Sequence, residues 1–313
     1  GIERDVYLYS TPKTYIADFT ARTPLDASYS NGELTLDVAV DGLPTAPAKK
    51  GKKQKQAGKY MVNYTLYDAD GNVAATATEP ASATTTFTAE IPAVKAWTAE
   101  TPNLYTLLVD LIDPKGDVTE TVGCNVGFRT SEVKNGLYLL NGQPIKIKGT
   151  NRHAHSPLGR TVPRELALKD IELLKQNNIN TVRNCHYPQD RYWYNLCDKY
   201  GIYVIDEANA ESHGYGYGEE SLAKCPEWIG AVIDRENRMW QKSKNNASVV
   251  FYSMGNECGN GIVFEEAYKF MKSIEHNRPI QYERALDDWN SDIFAQMYGY
   301  HAGVKAYGDD STK

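Results

Sequence analysis

Hydrophobic and polar residues alternate with a period of two along most of the first 130 residues, a pattern typical of β-strands. Two such runs in YMVNYTLYDADGNVAATAT flank the turn sequence DADGN and predict a β-hairpin. The stretch LYTLLVDLIDPKGDVTETVGCNVGF repeats this plan around DPKGD. Short strands separated by turns rich in Pro, Gly and Asp favour an antiparallel β-sandwich.

From about residue 131 the apolar spacing switches repeatedly between strand-like and helix-like runs. A first helix is predicted in PRELALKDIELLKQNN, which begins at Pro163 and places its apolar residues on one face. A second, RYWYNLCDKYG, has apolar residues at i, i+3, i+4 and i+7 and ends at Gly201. Two further helices are predicted near 226–244 and 262–276.

Six strand-like runs alternate with these helices: IKIKGTN, INTVRNCHYP, IYVIDEAN, SVVFYSMGNE, PIQYE and DIFAQMY. Strands and helices that alternate through short loops predict parallel βα units. A complete eight-stranded barrel needs roughly 250 residues, more than follow position 130 in this chain of 313. The pattern leaves two folds open, a doubly wound sheet and a partial barrel of about six strands.

The composition and net charge argue against several classes of protein. The net charge of −6 argues against a nucleic-acid partner, and no apolar run approaches the ~18 residues of a membrane span. The five scattered cysteines show no metal-binding CxxC spacing and imply no disulfide framework. Twenty-two tyrosines and five tryptophans suit a sugar-binding cleft or a β-rich core equally well. The sequence is compatible with a homo-oligomer and with a cytoplasmic or periplasmic location, and decides neither.

One stretch is strongly basic: PAKKGKKQKQAGKY holds six lysines between Lys49 and Lys59. Such a run could bind a polyanion, or it could be the solvated loop of a hairpin. We favour the loop, because charge runs between strands are usually solvated.

Polar and ionisable residues collect where the predicted parallel strands end. They are His153 and His155 after the first strand, Arg183 and His186 at the second, Glu207, Glu211 and His213 after the third, Asn256 and Glu257 after the fourth, Tyr282 and Glu283 at the fifth, and Met297 and Tyr298 at the sixth. Functional residues of βα barrels lie at the carboxyl ends of the strands. The sequence therefore predicts a site at that face.

The stretch SMGNECGNG places Glu257 between glycines directly after a buried strand. A carboxyl group there can act as a general acid/base, and we interpret the glycines as room for a ligand close to the backbone. Glu211 and His213 point to the same side if the chain is extended. With Glu257 they could hold Mg²⁺ or Mn²⁺, or they could form an ordinary hydrogen-bonded pair. The chain has neither a nucleophilic serine elbow nor a phosphate loop.

Four long motifs resemble family-2 glycoside hydrolases, specifically their β-galactosidase branch. NTVRNCHYPQDRYWYNLCDKYGIYVI fits the family pattern N-x-V-R-x-x-H-Y-P followed by D-x-x-G. GTNRHAHSP, DEANAESHG and SVVFYSMGNECGNG resemble further motifs, the last of which carries the acid/base. WTAETPNLY and VGFRT resemble hallmarks of the family's second domain, and GIERDVYLY the end of its first.

The resemblance implies three regions: the end of a jelly-roll sugar-binding domain over 1–10, an immunoglobulin-like β-sandwich over 11–130, and the first part of a (β/α)8 TIM barrel over 131–313. It also implies a role for each site residue. Glu257 would be the acid/base and Asn256 would bind the sugar's 2-hydroxyl; His153 and His186 would contact the galactosyl ring, Arg183 would orient carboxylates, Met297 and Tyr298 would lie beside the nucleophile, and Glu211, His213 and Glu257 would bind Mg²⁺.

The chain departs from the family's pattern in several places. Ala154 replaces the usual Glu, Tyr252 the usual Trp, and Asn246 a usual His, Arg or Tyr, but none of these is the acid/base. Family members retain configuration, which requires a second carboxylate about 5–5.5 Å from the first. The C-E-Y motif that carries it in the family is missing here. The expectation is a segment that holds the acid/base half of a site and is inactive alone.

Three functions remain open from the sequence. The first is a β-galactosidase, and the second a non-catalytic fragment or carbohydrate-binding scaffold. The third is a sister specificity, a β-glucuronidase or β-mannosidase, which shares the architecture. The glycine pattern of GNECGNG and the histidines of NRHAH favour the galactosidase.

Overall fold

The computed structural model of the protein describes residues 4–44 and 59–310. It divides into two compact units, one running to Arg129 and including Asn245–Ala247, the other beginning at Thr130 and taking the rest of the chain. Residues 45–58, with five of the six clustered lysines, lie outside the described residues, so both interpretations of that stretch stay open. Residues 4–10 form no helix or strand, and their assignment to a jelly-roll domain stays a prediction.

Among the described residues, the first unit contains seven strands: β1 (Tyr15–Arg22), β2 (Gly32–Asp41), β3 (Met61–Tyr67), β4 (Val73–Pro80), β5 (Thr84–Ile91), β6 (Tyr105–Ile112) and β7 (Val118–Val126). They form two antiparallel sheets in the orders β1-β2-β5 and β4-β3-β6-β7. This is the strand distribution of an immunoglobulin-like sandwich, as predicted. Alternation explains this arrangement, because the alternate β6 residues Leu107, Val109 and Leu111 have no exposed surface and face the core.

The predicted hairpins β3–β4 and β6–β7 are both present. Each turn begins with an aspartate whose side chain replaces missing backbone partners. Oδ1 of Asp68 accepts hydrogen bonds from the N–H groups of Asp70 and Asn72, both at 2.9 Å. Asp113 does the same for Lys115 and Asp117. The turn chemistry in the sequence therefore determines these hairpins locally.

The second unit begins with a small antiparallel sheet that the sequence did not predict: β8 (Ser131–Lys134), β9 (Leu137–Leu140) and β10 (Gln143–Pro144). A parallel sheet follows: β11 (Gly149–Arg152), β12 (Thr181–Asn184), β13 (Tyr203–Glu207), β14 (Val249–Ser253) and β15 (Ile280–Gln281). Its strands lie side by side in chain order. A doubly wound sheet reverses its strand order at a switch point, so the sequential order identifies a partial TIM barrel.

Five α-helices accompany these strands in the part of the chain that the structure describes: α1 (Arg164–Gln176), α2 (Arg191–Tyr200), α3 (Ile229–Ser243), α4 (Ile262–Ile274) and α5 (His301–Asp309). The first four confirm the predicted helices to within a few residues. None of the described helices is long and apolar enough to cross a membrane.

The predicted sixth strand, DIFAQMY, is wrong: residues 292–298 form no strand. A sixth strand would have to hydrogen-bond to the backbone N–H groups on the outer edge of β15. In the structure these N–H groups donate to side-chain oxygens instead. The N–H of Ile280 donates to Oδ2 of Asp292 at 2.8 Å, and the N–H of Tyr282 donates to Oγ of Ser291 at 3.0 Å. A ladder cannot propagate where side-chain oxygens occupy the backbone N–H groups.

Helix α2 and the strands beneath it are locked by buried polar contacts. Asp190 caps the first turn by accepting from the N–H of Tyr192, and Gly201 ends the helix with φ of 71°, a left-handed conformation that glycine adopts easily. Oδ1 of Asp206 on β13 accepts from the Tyr194 hydroxyl at 2.7 Å and from Asn184 of β12 at 2.9 Å. This network joins one helix to two strands, and those strands carry the candidate site at their ends.

Candidate functional site

The carboxyl ends of β12, β13 and β14 converge on Glu207, the last residue of β13. This side chain has no exposed surface. Its Oε2 accepts from Nε of Arg183 at 2.6 Å and from Oγ of Ser253 at 2.7 Å, and its Oε1 lies 2.7 Å from Nδ1 of His186. Glu207 thus joins residues of three neighbouring strand exits and fixes the orientation of Arg183 and His186.

The sequence interpretation placed Glu207 at a strand exit but gave it no role. A usable signal was present in the pair Asp206-Glu207, because neighbouring strand residues point to opposite faces of a sheet. Asp206 bonds Tyr194 of α2, on the helix side, and Glu207 bonds the site residues on the other side. Two acids at the end of a buried strand therefore had to serve different environments.

Asn256 is held at both ends of its amide group. Nη2 of Arg183 donates to its Oδ1 at 2.8 Å, and its Nδ2 donates to Oε2 of Glu211 at 2.6 Å. Its backbone N–H donates to the carbonyl of Ala210 at 2.9 Å, which continues the parallel pairing of β13 and β14 beyond the strand ends. These contacts fix which amide atom faces which way.

Glu257 follows directly and is 7% exposed. One of its carboxyl oxygens contacts Nδ1 of His213, and the other lies 3.9 Å from Nη2 of Arg284. Its backbone, at φ of 50°, is in the left-handed region and donates its N–H to Oε1 of Glu283 at 2.7 Å. The acid/base candidate therefore lies between a histidine and an arginine, with its backbone fixed by the end of the fifth strand.

The glycines around Glu257 have another role than the one we inferred from the sequence. A Cβ on Gly255 would lie 2.8 Å from the carbonyl oxygen of Ala210, and one on Gly259 would lie 2.5 Å from Oγ of Ser221. The contacted atoms belong to neighbouring loops of the protein itself. The glycines make room for those loops, which carry Glu211 and His213 towards Glu257, and the interpretation as room for a ligand was wrong for these positions.

Three candidate metal ligands do come together. One ligand atom from each of Glu211, His213 and Glu257 lies within 4.8 Å of the other two. His213 also stacks on Tyr217, with ring centroids 5.7 Å apart, and the guanidinium of Arg284 lies 3.7 Å from the centre of the Tyr217 ring. Arg284, which follows β15 in the chain, therefore helps to hold the loop that carries His213 in place.

The two histidines predicted to contact sugar are neighbours. The rings of His153 and His186 lie edge to face at 5.2 Å, and the Tyr187 hydroxyl lies 3.4 Å from Nδ1 of His153. Burial, together with the nearby His186 and His155, lowers the pKa of His153. A neutral imidazole at this position can both donate and accept a hydrogen bond.

Met297 and Tyr298 are not joined to this group by any contact that we find among the described residues. Tyr298 is 80% exposed and lies in the irregular segment between β15 and α5. Both residues were placed by the predicted sixth strand, and without that strand nothing aligns them with the other strand ends. Their proposed role beside a nucleophile stays a prediction.

Comparison with known proteins identifies the family of both units. The family model described as "Glycosyl hydrolases family 2, TIM barrel domain" matches residues 131–309, and the model "Glycosyl hydrolases family 2" matches residues 14–129. A β-galactosidase of Priestia megaterium is 40% identical over 98% of this chain, and one of Enterobacter cloacae is 38% identical over 95%. The chain spans 30% and 29% of these curated relatives, less than a third of their length.

Solved structures share the fold at lower sequence identity. β-Glucuronidase 3 of Bacteroides uniformis superposes with a TM-score of 0.71 at 19% identity, covering 88% of this chain and 34% of that one. The β-D-glucuronidase of Dictyoglomus thermophilum gives 0.71 at 22%, covering 91% and 46%. At such identities the likeness concerns the fold alone.

Proposed function

Since this chain belongs to glycosyl hydrolase family 2, we propose that it forms the acid/base half of the active site of a retaining β-galactosidase, which hydrolyses terminal β-D-galactosides. The observation that carries the proposal is the position of Glu257. This nearly buried carboxyl group lies beside Asn256, whose amide is fixed by Arg183 and Glu211. A proton donor must be held in this way, because proton transfer depends on geometry before acidity.

In the proposed reaction Glu257 protonates the departing glycosidic oxygen, then removes a proton from the water that completes hydrolysis. Each atom of the Asn256 amide keeps one hydrogen-bonding position beyond its contacts with Arg183 and Glu211, which suits the assigned bond to the 2-hydroxyl. His153 and His186 would bind other hydroxyls of the ring. The nucleophilic carboxylate is assigned to a part of a longer enzyme, in line with relatives of which this chain spans less than a third.

Glu211, His213 and Glu257 fit a divalent cation by their chemistry, since two carboxylates and an imidazole suit Mg²⁺ or Mn²⁺. When bound, the ion supplies positive charge beside Glu257. Asn256 already holds one oxygen of Glu211, which orients that carboxylate towards the other two ligands. We therefore propose Mg²⁺ as the cofactor held by these three residues.

Saturating Mg²⁺ should raise the melting temperature of this chain above its value in chelator. A ligand at 100 times its dissociation constant stabilises the folded state by about 2.7 kcal/mol. Glu211→Gln should abolish the shift, whereas Glu227→Gln, at an exposed position on the same unit, should keep it. An Mg²⁺ shift that is undiminished in Glu211→Gln would contradict this assignment.

The substrate assignment is tested by comparing aryl β-galactoside, β-glucuronide and β-mannoside turnover by an enzyme that contains this segment. We expect kcat/KM for the galactoside to exceed the others by at least ~100-fold, since hydrogen-bonding sites discriminate strongly among hydroxyl patterns. Preferential turnover of the glucuronide would contradict the galactosidase assignment and identify the enzyme as a β-glucuronidase. The segment alone should be inactive, and turnover by it that depends on Glu257 would overturn the half-site proposal.

A further inference from the structure

A second group of candidate metal ligands lies at the ends of β11 and β12. It consists of His153, Cys185 and His186, which we call the His–Cys cluster. One nitrogen or sulfur atom of each lies within 4.8 Å of the other two. The donors are two imidazoles and a thiol, whereas the group around Glu257 offers two carboxylates and one imidazole. Imidazole and thiolate ligands favour Zn²⁺ or Cu⁺ over Mg²⁺.

His186 is held in the way that metal-binding histidines are held. Its Nδ1 lies 2.7 Å from Oε1 of Glu207, a carboxylate with no exposed surface. Such an acceptor keeps the proton of a neutral imidazole on Nδ1 and leaves the lone pair on Nε2. Histidines that ligate metals almost always donate their other ring N–H to a carboxylate, carbonyl or water. This contact supports a ligand at Nε2 independently of the distances within the cluster.

The protonation states of the other two members determine what metal binding must displace. Burial and the neighbouring His186 lower the pKa of His153, which favours the neutral imidazole that binds metals. Burial raises the pKa of Cys185, so the free thiol keeps its proton. As a sulfur–metal bond forms, this proton leaves the thiol for solvent.

We propose that the His–Cys cluster is a Zn²⁺ site, with His153, Cys185 and His186 as ligands. Zn–N bonds of about 2.0–2.1 Å and a Zn–S bond of about 2.3 Å place tetrahedral donors about 3.3–3.6 Å apart. One ligand atom of each residue already lies within 4.8 Å of the others, so closing the site takes movements of roughly 1–2 Å, within reach of side-chain rotation. Zn²⁺ and Mg²⁺ would thus occupy different ends of one row of strand exits, sorted by ligand chemistry.

Metal titration of this chain tests the site without reference to catalysis. Co²⁺, as a spectroscopic substitute for Zn²⁺, should produce a thiolate-to-cobalt charge-transfer band with one equivalent per chain, and Zn²⁺ should displace it. Cys185→Ser should remove the band and lower Zn²⁺ affinity at least ~10-fold, since even changes outside the ligand set cost that much. The matched control Cys225→Ser, on the same unit, should keep both.

A band that survives in Cys185→Ser, or that disappears in Cys225→Ser, would overturn the proposal. If Cys185→Ser fails to fold by circular dichroism, His153→Gln provides the same test, because it removes one ligand and keeps the thiol. Unchanged Zn²⁺ affinity in His153→Gln would be equally fatal. Glu211→Gln should leave Zn²⁺ binding intact and affect only Mg²⁺.

One consequence rests on the proposed function. Because His153 and His186 are also assigned to the sugar, Zn²⁺ should inhibit a longer active enzyme competitively with galactoside. Zn²⁺ binding without competition would refute the sugar assignment of these histidines and leave the metal site standing. If the unsubstituted chain shows no cobalt band although Zn²⁺ still inhibits the longer enzyme, the metal site alone is refuted.

Discussion

Glu257→Gln should lower the turnover of alkyl β-galactosides by about 10²–10⁴-fold in an enzyme that contains this segment. The amide keeps the size of the side chain but cannot donate or accept the proton. Aryl galactosides with acidic leaving groups need little protonation, so their first step should lose much less. The measurement is a series of kcat/KM values, which report this first step, plotted against the pKa of the leaving group. The slope of this plot should become steeper in the variant.

Glu211→Gln is the matched control, because it removes a proposed ligand of the same cation and keeps the proton donor. Glu211→Gln should lower the turnover of all substrates by a similar factor, and the dependence of turnover on the leaving group should not become steeper. Azide provides a second discriminator, because it attacks the glycosyl-enzyme without help from a base. Glu257→Ala should therefore form β-galactosyl azide, and Glu211→Ala should not be rescued. A leaving-group dependence unchanged by Glu257→Gln would end its assignment as the acid/base.

Glu207→Leu should lower the free energy of unfolding by about 3–5 kcal/mol, the usual cost of removing one partner from a buried charge network. It would leave Arg183 without its 2.6 Å partner and His186 without its acceptor. Urea denaturation followed by tryptophan fluorescence measures the effect, since four of the five tryptophans lie in the second unit.

Glu236→Leu is the matched control and should have the opposite sign. Glu236 on α3 is equally inaccessible, but neither of its carboxyl oxygens has a hydrogen-bond partner among the described residues. Leucine should therefore stabilise the second unit by about 1–3 kcal/mol, the cost of burying an unsatisfied polar group. Equal destabilisation by both substitutions would show that volume, and not hydrogen bonding, governs these two positions.

The stabilisation by Glu236→Leu should also depend on pH. Burial raises the pKa of Glu236 well above its ordinary value, so the folded state holds a proton that the unfolded state has lost. Stability from such a group is complete below the unfolded pKa of about 4.3 and is lost as pH rises towards the folded pKa. The advantage of the variant should accordingly be larger at pH 8 than at pH 5.

Local patterns predicted most of the elements that support the site. Period-two alternation identified β3, β4, β6 and β7, and helical spacing identified α1 to α4. Gly201 marked the end of α2 because capping depends on residues within one turn. The convergence of Arg183, Asn256 and Glu211 was also predictable, since parallel strands bring their carboxyl ends to one edge.

Local sequence patterns could not predict the contacts between residues that lie far apart in the chain. The sequence of DIFAQMY is apolar enough for a strand, but Asp292 and Ser291 take the N–H groups that its ladder would use. From the sequence, the glycines of GNECGNG suggested room for a ligand, but in the structure Ala210 and Ser221 occupy that space. In both cases a competing partner elsewhere in the fold decided the outcome.

By itself, then, the sequence determined a β-sandwich followed by parallel βα units, the helices α1 to α4 and the row of polar strand ends, because short-range spacing and turn chemistry set these. Only the tertiary structure decided that Glu207 is the centre of the site and that Cys185 and His186 lie beside His153 from the neighbouring strand end. The physical reason is that a buried charge or thiol is defined by its partners, and these come from other strands.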